Sequence, residues 1–378
     1  MAKSFSRADN SVLGRWWWTI DRWILLLVAV LLAIGVLLTM AASPPVAERI
    51  GLDSFYFVKR HALYLIPFTG VMVGVSLMDR KSIQRFSLAL YILCVVMLLL
   101  TPFIGTEIKG ARRWINLIGF SIQPSEFLKP ALVILTAWML SEQKKNPEIP
   151  GQIFAFGFYG LGVFLLLLQP DMGMIILMTA ILVFQLFLAG LPLILIAVLG
   201  VGGLGSFYAA YCLFPHVHQR VDRFLFPAQA DKYSDRYQIT QSLDAFFNGG
   251  FWGMGPGEGV VKKHLPDAHA DFIFSVAGEE FGFLLCFLII ILFAVFIVRS
   301  VLQILYENDL FTLLAVSGLV FELGLQAIIN MSSTLDLIPT KGMTLPFISF
   351  GGSSILSVAI ITGMILALTR RTSRRFVV

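Results

Sequence analysis

The sequence predicts an all-α polytopic membrane protein of about ten transmembrane helices, with a large loop between the seventh and eighth. Three observations predict it. Of 378 residues, 57% are hydrophobic and 13% charged, where a soluble domain carries roughly a quarter charged residues. Mean hydropathy is +0.83. Apolar runs of about 20 residues, long enough to cross about 30 Å of hydrocarbon as helices, recur along the whole chain. Alternating strands of barrel type are absent, which disfavours a membrane β-barrel.

Taken in order, the spans fall at 21–43, 56–78, 87–105, 122–141, 152–168, 173–190, 192–214, 272–298, 310–330 and 347–369. Residues 1–20 and 370–378 read as tails, 21–369 as one transmembrane domain, and 215–270 as its large loop. Within 169–214 the turns are so short that a re-entrant pair is the alternative. The first apolar run lacks a small-residue cleavage motif and reads as a retained anchor rather than a cleaved signal. Cys94, Cys212 and Cys286 lie in apolar runs without metal-ligand spacing and read as packing residues.

The net charge is +5. In a membrane protein such a surplus reports topology rather than nucleic-acid binding. Lys3, Arg7, Arg15 and Arg22, Arg80, Lys81 and Arg85, Lys144 and Lys145, Arg299, and Arg370, Arg371, Arg374 and Arg375 all fall on one side of a ten-span arrangement. That side is predicted to be the cytoplasm, with both termini on it. Two loops on the other side are also basic: 106–121, with Lys109, Arg112 and Arg113, and 215–270, with Arg220, Arg223, Lys232, Arg236, Lys262 and Lys263. A polyanionic ligand matched by Arg and Lys explains them; a solvated loop balanced by Asp222, Asp231, Asp235 and Asp244 is the alternative.

Leu265–Phe274, LPDAHADFIF, runs a polar segment straight into the eighth span. Asp271 stands at the lip, where desolvation raises a carboxylate toward the pKa of a general base. Helix N-capping is the competing role, because Asp is a preferred N-cap. Glu279 and Glu280 follow in the same span, with Arg, Lys or backbone amides as expected partners. Glu126 and Lys129 are three residues apart on one face of the fourth span and read as a buried ion pair, with cavity shaping as the second role.

The stretch Asn248–Val261, NGGFWGMGPGEGVV, holds six glycines. It suits either close backbone approach to a phosphate or sugar, or a compact surface loop. It matches neither GxxxxGK[ST] nor GxGxxG. Trp114 reads equally as an interfacial anchor or a saccharide-stacking ring. Lys341 precedes the tenth span. With Arg112 and Arg113 it is a candidate clamp for a diphosphate, and Gly351-Gly352-Ser353-Ser354 behind it is read as helix packing.

GARRWI (110–115), QPSEFLK (123–129), QPDMG (169–173), YQITQSL (237–243), LPDAHADFIF (265–274), GEE (278–280) and PTKGMTLPFISFGGSS (339–354) occur in this order. Their order and wording resemble the SEDS family (shape, elongation, division, sporulation) over nearly the whole chain, with PTKGMTLPF closer to its division-type branch. The resemblance implies a peptidoglycan glycosyltransferase of the bacterial inner membrane that polymerises lipid II at the septum, with its large loop in the periplasm. It implies a class B penicillin-binding transpeptidase as partner, within the division machinery. It places the family's essential acid on Asp271.

In the mechanism this suggests, Asp271 is the general base. Arg112, Arg113, Lys341 and Arg220 receive the leaving diphosphate, Trp114 and His269 contact substrate, and a divalent cation, Mg or Mn, is an open possibility. Ala270 and Phe350 depart from the family's usual Thr and frequent Tyr, so no role for those hydroxyls carries over. A lipid II flippase and a non-catalytic scaffold for the transpeptidase are the other readings. The first needs charges lining a path across the bilayer, for which Glu126, Lys129 and Glu322 are the candidates.

Overall fold

The computed structural model describes residues 11–370 apart from 109–110, 118–119, 193, 195–199, 204, 206–207, 209–210, 213–217, 219–221, 223–234 and 340–341. Arg220 and Lys341 therefore lie outside the described residues, as does most of the predicted seventh span.

Nine helices of the described residues correspond to the other nine predicted spans: α2 (Arg22–Arg49), α3 (Tyr56–Ser76), α4 (Arg80–Ile104), α5 (Pro124–Lys145), α6 (Gly151–Leu168), α7 (Met172–Leu188), α9 (Ile273–Ile304), α10 (Leu310–Thr334) and α11 (Gly352–Leu368). Two more, α1 (Val12–Thr19) and α8 (Asp235–Gly249), flank them. α1 forms where the sequence reads as a tail. Trp16 explains it, being buried with its indole N–H donating to Ser76 Oγ at 2.7 Å.

α5 and α10 form the centre of the bundle. α10 is buried on nearly every face, from Phe311 through Asn330, and α5 from Pro124 to Ala137. The outer helices bury one stripe each, such as Ile24, Leu31, Leu38 and Ala42 on α2. Their other faces expose large apolar side chains, including Ile66, Ile92, Phe164 and Phe187. Such a surface is a liability in water and the expected one against lipid.

Ion pairs sort the helix ends into two sets. At the basic end Asp309 meets Arg80 at 2.6 Å and Lys145 at 3.9 Å, and Asp21 meets Arg299 at 2.6 Å. Arg370 donates there to the carbonyls of Leu77 and Met78. The start of α2 and the end of α11 thus share one end. At the opposite end Arg49 donates to the Lys263 carbonyl, and Ser349 to that of Ala270. Gly190 lies beside Lys144 at the basic end, while Arg236 pairs with Asp336 at the opposite one.

The 106–121 segment, read above as a loop, is an antiparallel sheet ordered β1 (Thr106–Ile108), β2 (Ala111–Leu117), β3 (Phe120–Ile122). Registers Ile108↔Ala111 and Leu117↔Phe120 leave two-residue connections, the length typical of hairpins. β2 buries Ile115 and exposes Arg112 and Asn116, the alternation of a half-buried strand.

Candidate functional site

At the end of the bundle opposite the basic one, the turn 267–272 leads into α9. Its amides at Ala270 and Asp271 donate to the Asp267 carbonyl at 2.9 and 3.1 Å. The N-cap position of α9 is Phe272, with no side-chain capping bond. Asp271 is thus one residue too early to cap α9, and its side chain is half-buried. Its carboxylate faces Gly342: a Cβ built there would lie 3.4 Å from Asp271 Oδ2. Gly342 follows Lys341 directly in the chain.

Segment 342–350 is stitched to this turn. Ser349 Oγ donates to the Ala270 carbonyl at 2.6 Å, and the Phe350 amide to that of His269 at 3.0 Å. From α10, Asn330 Nδ2 donates to the carbonyls of Asp271 (2.9 Å) and Met343 (2.7 Å). Gln326, one turn earlier, donates to Thr344 at 3.0 Å. Neither amide was singled out above, although polar residues in apolar runs are the available signal.

His269 is buried, its ring 4.0 Å from that of Phe57 and 5.4 Å from that of Phe350. Burial pushes its pKa down from 6.5 to about 4, with the Asp267 charge pulling weakly the other way. The folded protein keeps it neutral where the unfolded chain protonates. His269 therefore costs stability progressively as pH falls from 6.5 toward 4. Melting curves in detergent across that window should show a shallower acid slope for His269→Phe than for the parent.

Glu279, fully buried, accepts from the amides of Val260 and Val261 at 2.7 Å, of Lys262 at 2.9 Å and from Asn248 Nδ2 at 3.1 Å. Glu280 pairs with buried Lys262. α9 breaks at Gly282, whose φ of 71° and ψ of −170° are not helical. The glycine-rich loop closes that break. Met254 and Gly255 amides donate to the Glu279 and Glu280 carbonyls at 2.9 and 3.0 Å, and Phe283 donates to the Gly250 carbonyl at 3.0 Å. A Cβ at Gly253 would overlap the Glu280 carbonyl, and one at Gly282 the Phe251 carbonyl. The glycines thus serve close backbone approach, but to α9. Those five loop amides are spent inside the protein.

Arg113 donates to the Gln169 carbonyl at 3.1 Å and the Pro170 carbonyl at 2.6 Å, tying the sheet to the α6–α7 turn. Arg112 is exposed, donating to Pro102 at 3.0 Å and lying 3.6 Å from Glu107. Trp114 is half-buried on β2, paired with Thr106. The two arginines thus hold the sheet to α4 and the α6–α7 turn, while Asp271 is held by α10.

Deeper in the bundle, Lys129 lies 3.0 Å from Glu126 and 3.9 Å from Glu322, and donates to Gln326 Oε1 at 2.8 Å. All are buried. A cavity of about 10 Å³ beside Lys129, lined also by Thr136 and Gln185, is the size that holds one water. Lys129→Met strands two buried carboxylates and should cost about 3–5 kcal/mol. Adding Glu126→Gln and Glu322→Gln should return most of it, read as melting temperature in detergent.

Residues 22–374 match the family model described as cell cycle protein, the FtsW/RodA/SpoVE model. The chain is 44% identical over 369 residues to a probable peptidoglycan glycosyltransferase FtsW of Caulobacter vibrioides (strain NA1000 / CB15N), covering 97% of this chain and 94% of that protein. It is 36% identical over 363 residues to the protein of the same name in Coxiella burnetii (strain RSA 493 / Nine Mile phase I), covering 94% and 97%. Among solved structures, a chain of a peptidoglycan synthase complex that coordinates polymerization and crosslinking superposes with a TM-score of 0.76 at 25% identity, covering 93% and 97%. Thermus thermophilus RodA, at 24% identity over the same shares, has a TM-score of 0.68 and shows the fold. The chain belongs to the FtsW/RodA/SpoVE family of cell cycle proteins.

Proposed function

We propose that this protein is a peptidoglycan glycosyltransferase that polymerises lipid II, with Asp271 as its general base. The observation that carries the reading is the half-buried Asp271 carboxylate, unused as a helix cap and set against the Gly342 backbone at one end of the bundle. The names of the relatives support the reaction class. Asp271 takes the proton from the C4 hydroxyl of the acceptor GlcNAc. That oxygen attacks the anomeric carbon of the donor MurNAc with inversion, and the undecaprenyl diphosphate leaves with the bonding pair. A diphosphate departs without a general acid, so the paired carboxylates of a glycosidase are unnecessary. Geometry requires the carboxylate within about 3 Å of the hydroxyl.

Arg112, Arg113, Lys341 and Arg220 are the proposed cations for the departing phosphates. Arg113 would act through guanidinium N–H groups beyond the two that hold the α6–α7 turn. Trp114 and His269 remain proposed saccharide contacts, with His269 acting as a neutral imidazole. Among the described residues no group of three His, Cys, Asp or Glu side chains is arranged to hold a metal. A Mg²⁺ or Mn²⁺ ion would need most of its oxygen ligands from the diphosphate itself.

The multi-pass protein is proposed to sit in the bacterial inner membrane, enriched at the septum. The basic end and both termini face the cytoplasm, and Asp271 faces the periplasm. Its proposed partners are a class B penicillin-binding transpeptidase and other division proteins. The flippase reading is disfavoured at Lys129, where interior charges pair with one another beside a water-sized cavity. Purified protein with the transpeptidase and fluorescent lipid II should yield polymer. Absence of polymer, with lipid scrambling in reconstituted vesicles, would establish the transporter instead.

A further inference from the structure

We infer that Asn330 is a positioning residue for glycosyl transfer, holding the backbone of Asp271 against the segment that faces its carboxylate. The inference rests on the reading of Asp271 as the base. Asn330 is 1% exposed. Its amide group has two N–H donors, and Nδ2 lies 2.9 Å from the Asp271 carbonyl and 2.7 Å from the Met343 carbonyl. One side chain thus ties the two backbones between which the carboxylate sits.

Gln326 completes the clamp. Residues four apart lie on one helix face, and Gln326 Nε2 donates to Thr344, next to Met343, at 3.0 Å. Its Oε1 accepts from Lys129 Nζ at 2.8 Å. An ammonium only donates, so Lys129 forces the amide oxygen toward itself and the NH₂ toward Thr344. The buried Glu126–Lys129 pair, 3.0 Å apart, thereby orients the clamp on the segment opposite Asp271.

The turn does not depend on Asn330 for attachment. Ser349 still holds Ala270, and the Phe350 amide still holds His269. Losing Asn330 frees the Asp271–Met343 junction alone. A misplacement of about 1 Å costs roughly 10²-fold in rate, and the proposed saccharide contacts are held by other bonds, His269 by the Phe350 amide and Trp114 by the sheet. The expected signature is therefore a fall in kcat with KM little changed.

The test compares wild type, Asp271→Asn, Asn330→Ala and Asn330→Asp in lipid nanodiscs with the transpeptidase and fluorescent lipid II. The Asp variant keeps the shape and has at most one donor for the two carbonyls, so it breaks the double tie and reports even if the Ala variant folds poorly. Rates are normalised to folded protein by size exclusion and melting. Support is a kcat about 100-fold below wild type in Asn330→Asp, with KM within about 3-fold. A kcat within 3-fold of wild type in folded Asn330→Asp, while Asp271→Asn is inactive, overturns the positioning role and leaves the base in place. Wild-type rates from Asp271→Asn overturn the base assignment and this inference with it.

Discussion

Asp271→Asn should reduce lipid II polymerisation by about 10³-fold, the range a general base contributes. The protein should still melt within a few degrees of wild type. The substitution keeps side-chain shape, and α9 loses no cap because its N-cap is Phe272. The fixed points of the turn are bonds to backbone carbonyls: Asp267 O accepts from three amides, Ala270 O from Ser349, and Asp271 O from Asn330. The group removed from the chemistry is the proton acceptor. A non-catalytic scaffold for the transpeptidase predicts the reverse, normal function in the Asn variant and loss only from interface substitutions. Lipid II binding measured on both proteins separates failure of chemistry from failure of capture.

The second large effect is structural. Glu279→Ala should destabilise the protein by about 3–5 kcal/mol, the cost of leaving several buried donors without an acceptor at about 1–3 kcal/mol each. Glu279 is fully buried and gathers three backbone amides and the Asn248 side chain. Removing it strands the amides of Val260, Val261 and Lys262 beside the break at Gly282. Glu279→Gln should fall between, since its amide offers one accepting oxygen where the carboxylate uses two. Thermal unfolding in detergent measures both. Activity should be lost in proportion to folded protein, unlike the Asp271 variant, which is folded and inactive.

Hydropathy made nine of the described helices legible because lipid imposes a length and a polarity on any helix that spans it. The Lys and Arg placements predicted which ends lie together, and the Asp309 and Asp21 pairs join those same ends. Asp271 was visible because a carboxylate at a membrane lip has no anchoring purpose. Its surroundings were not. Asn330 and Gln326 sit in an apolar run, and their partners are carbonyls in a segment brought near only by the folded bundle.

The sheet was missed because its strands are short. Strand register, rather than hydropathy, defines it. The six glycines of 249–259 announced close approach without saying to what. The answer is the broken α9, whose non-helical Gly282 lies within an apolar run. Arg113 read as part of a clamp for a diphosphate; its carbonyl partners at Gln169 and Pro170 lie far along the chain.

The central claim is that Asp271 accepts the proton as the glycosidic bond forms. Single-turnover transfer followed across pH tests it most directly. The wild-type rate should rise with unit slope as one carboxylate ionises and then level off, and the residual rate of Asp271→Asn should lack that limb. The same limb, at the same pH, in both proteins would contradict the account.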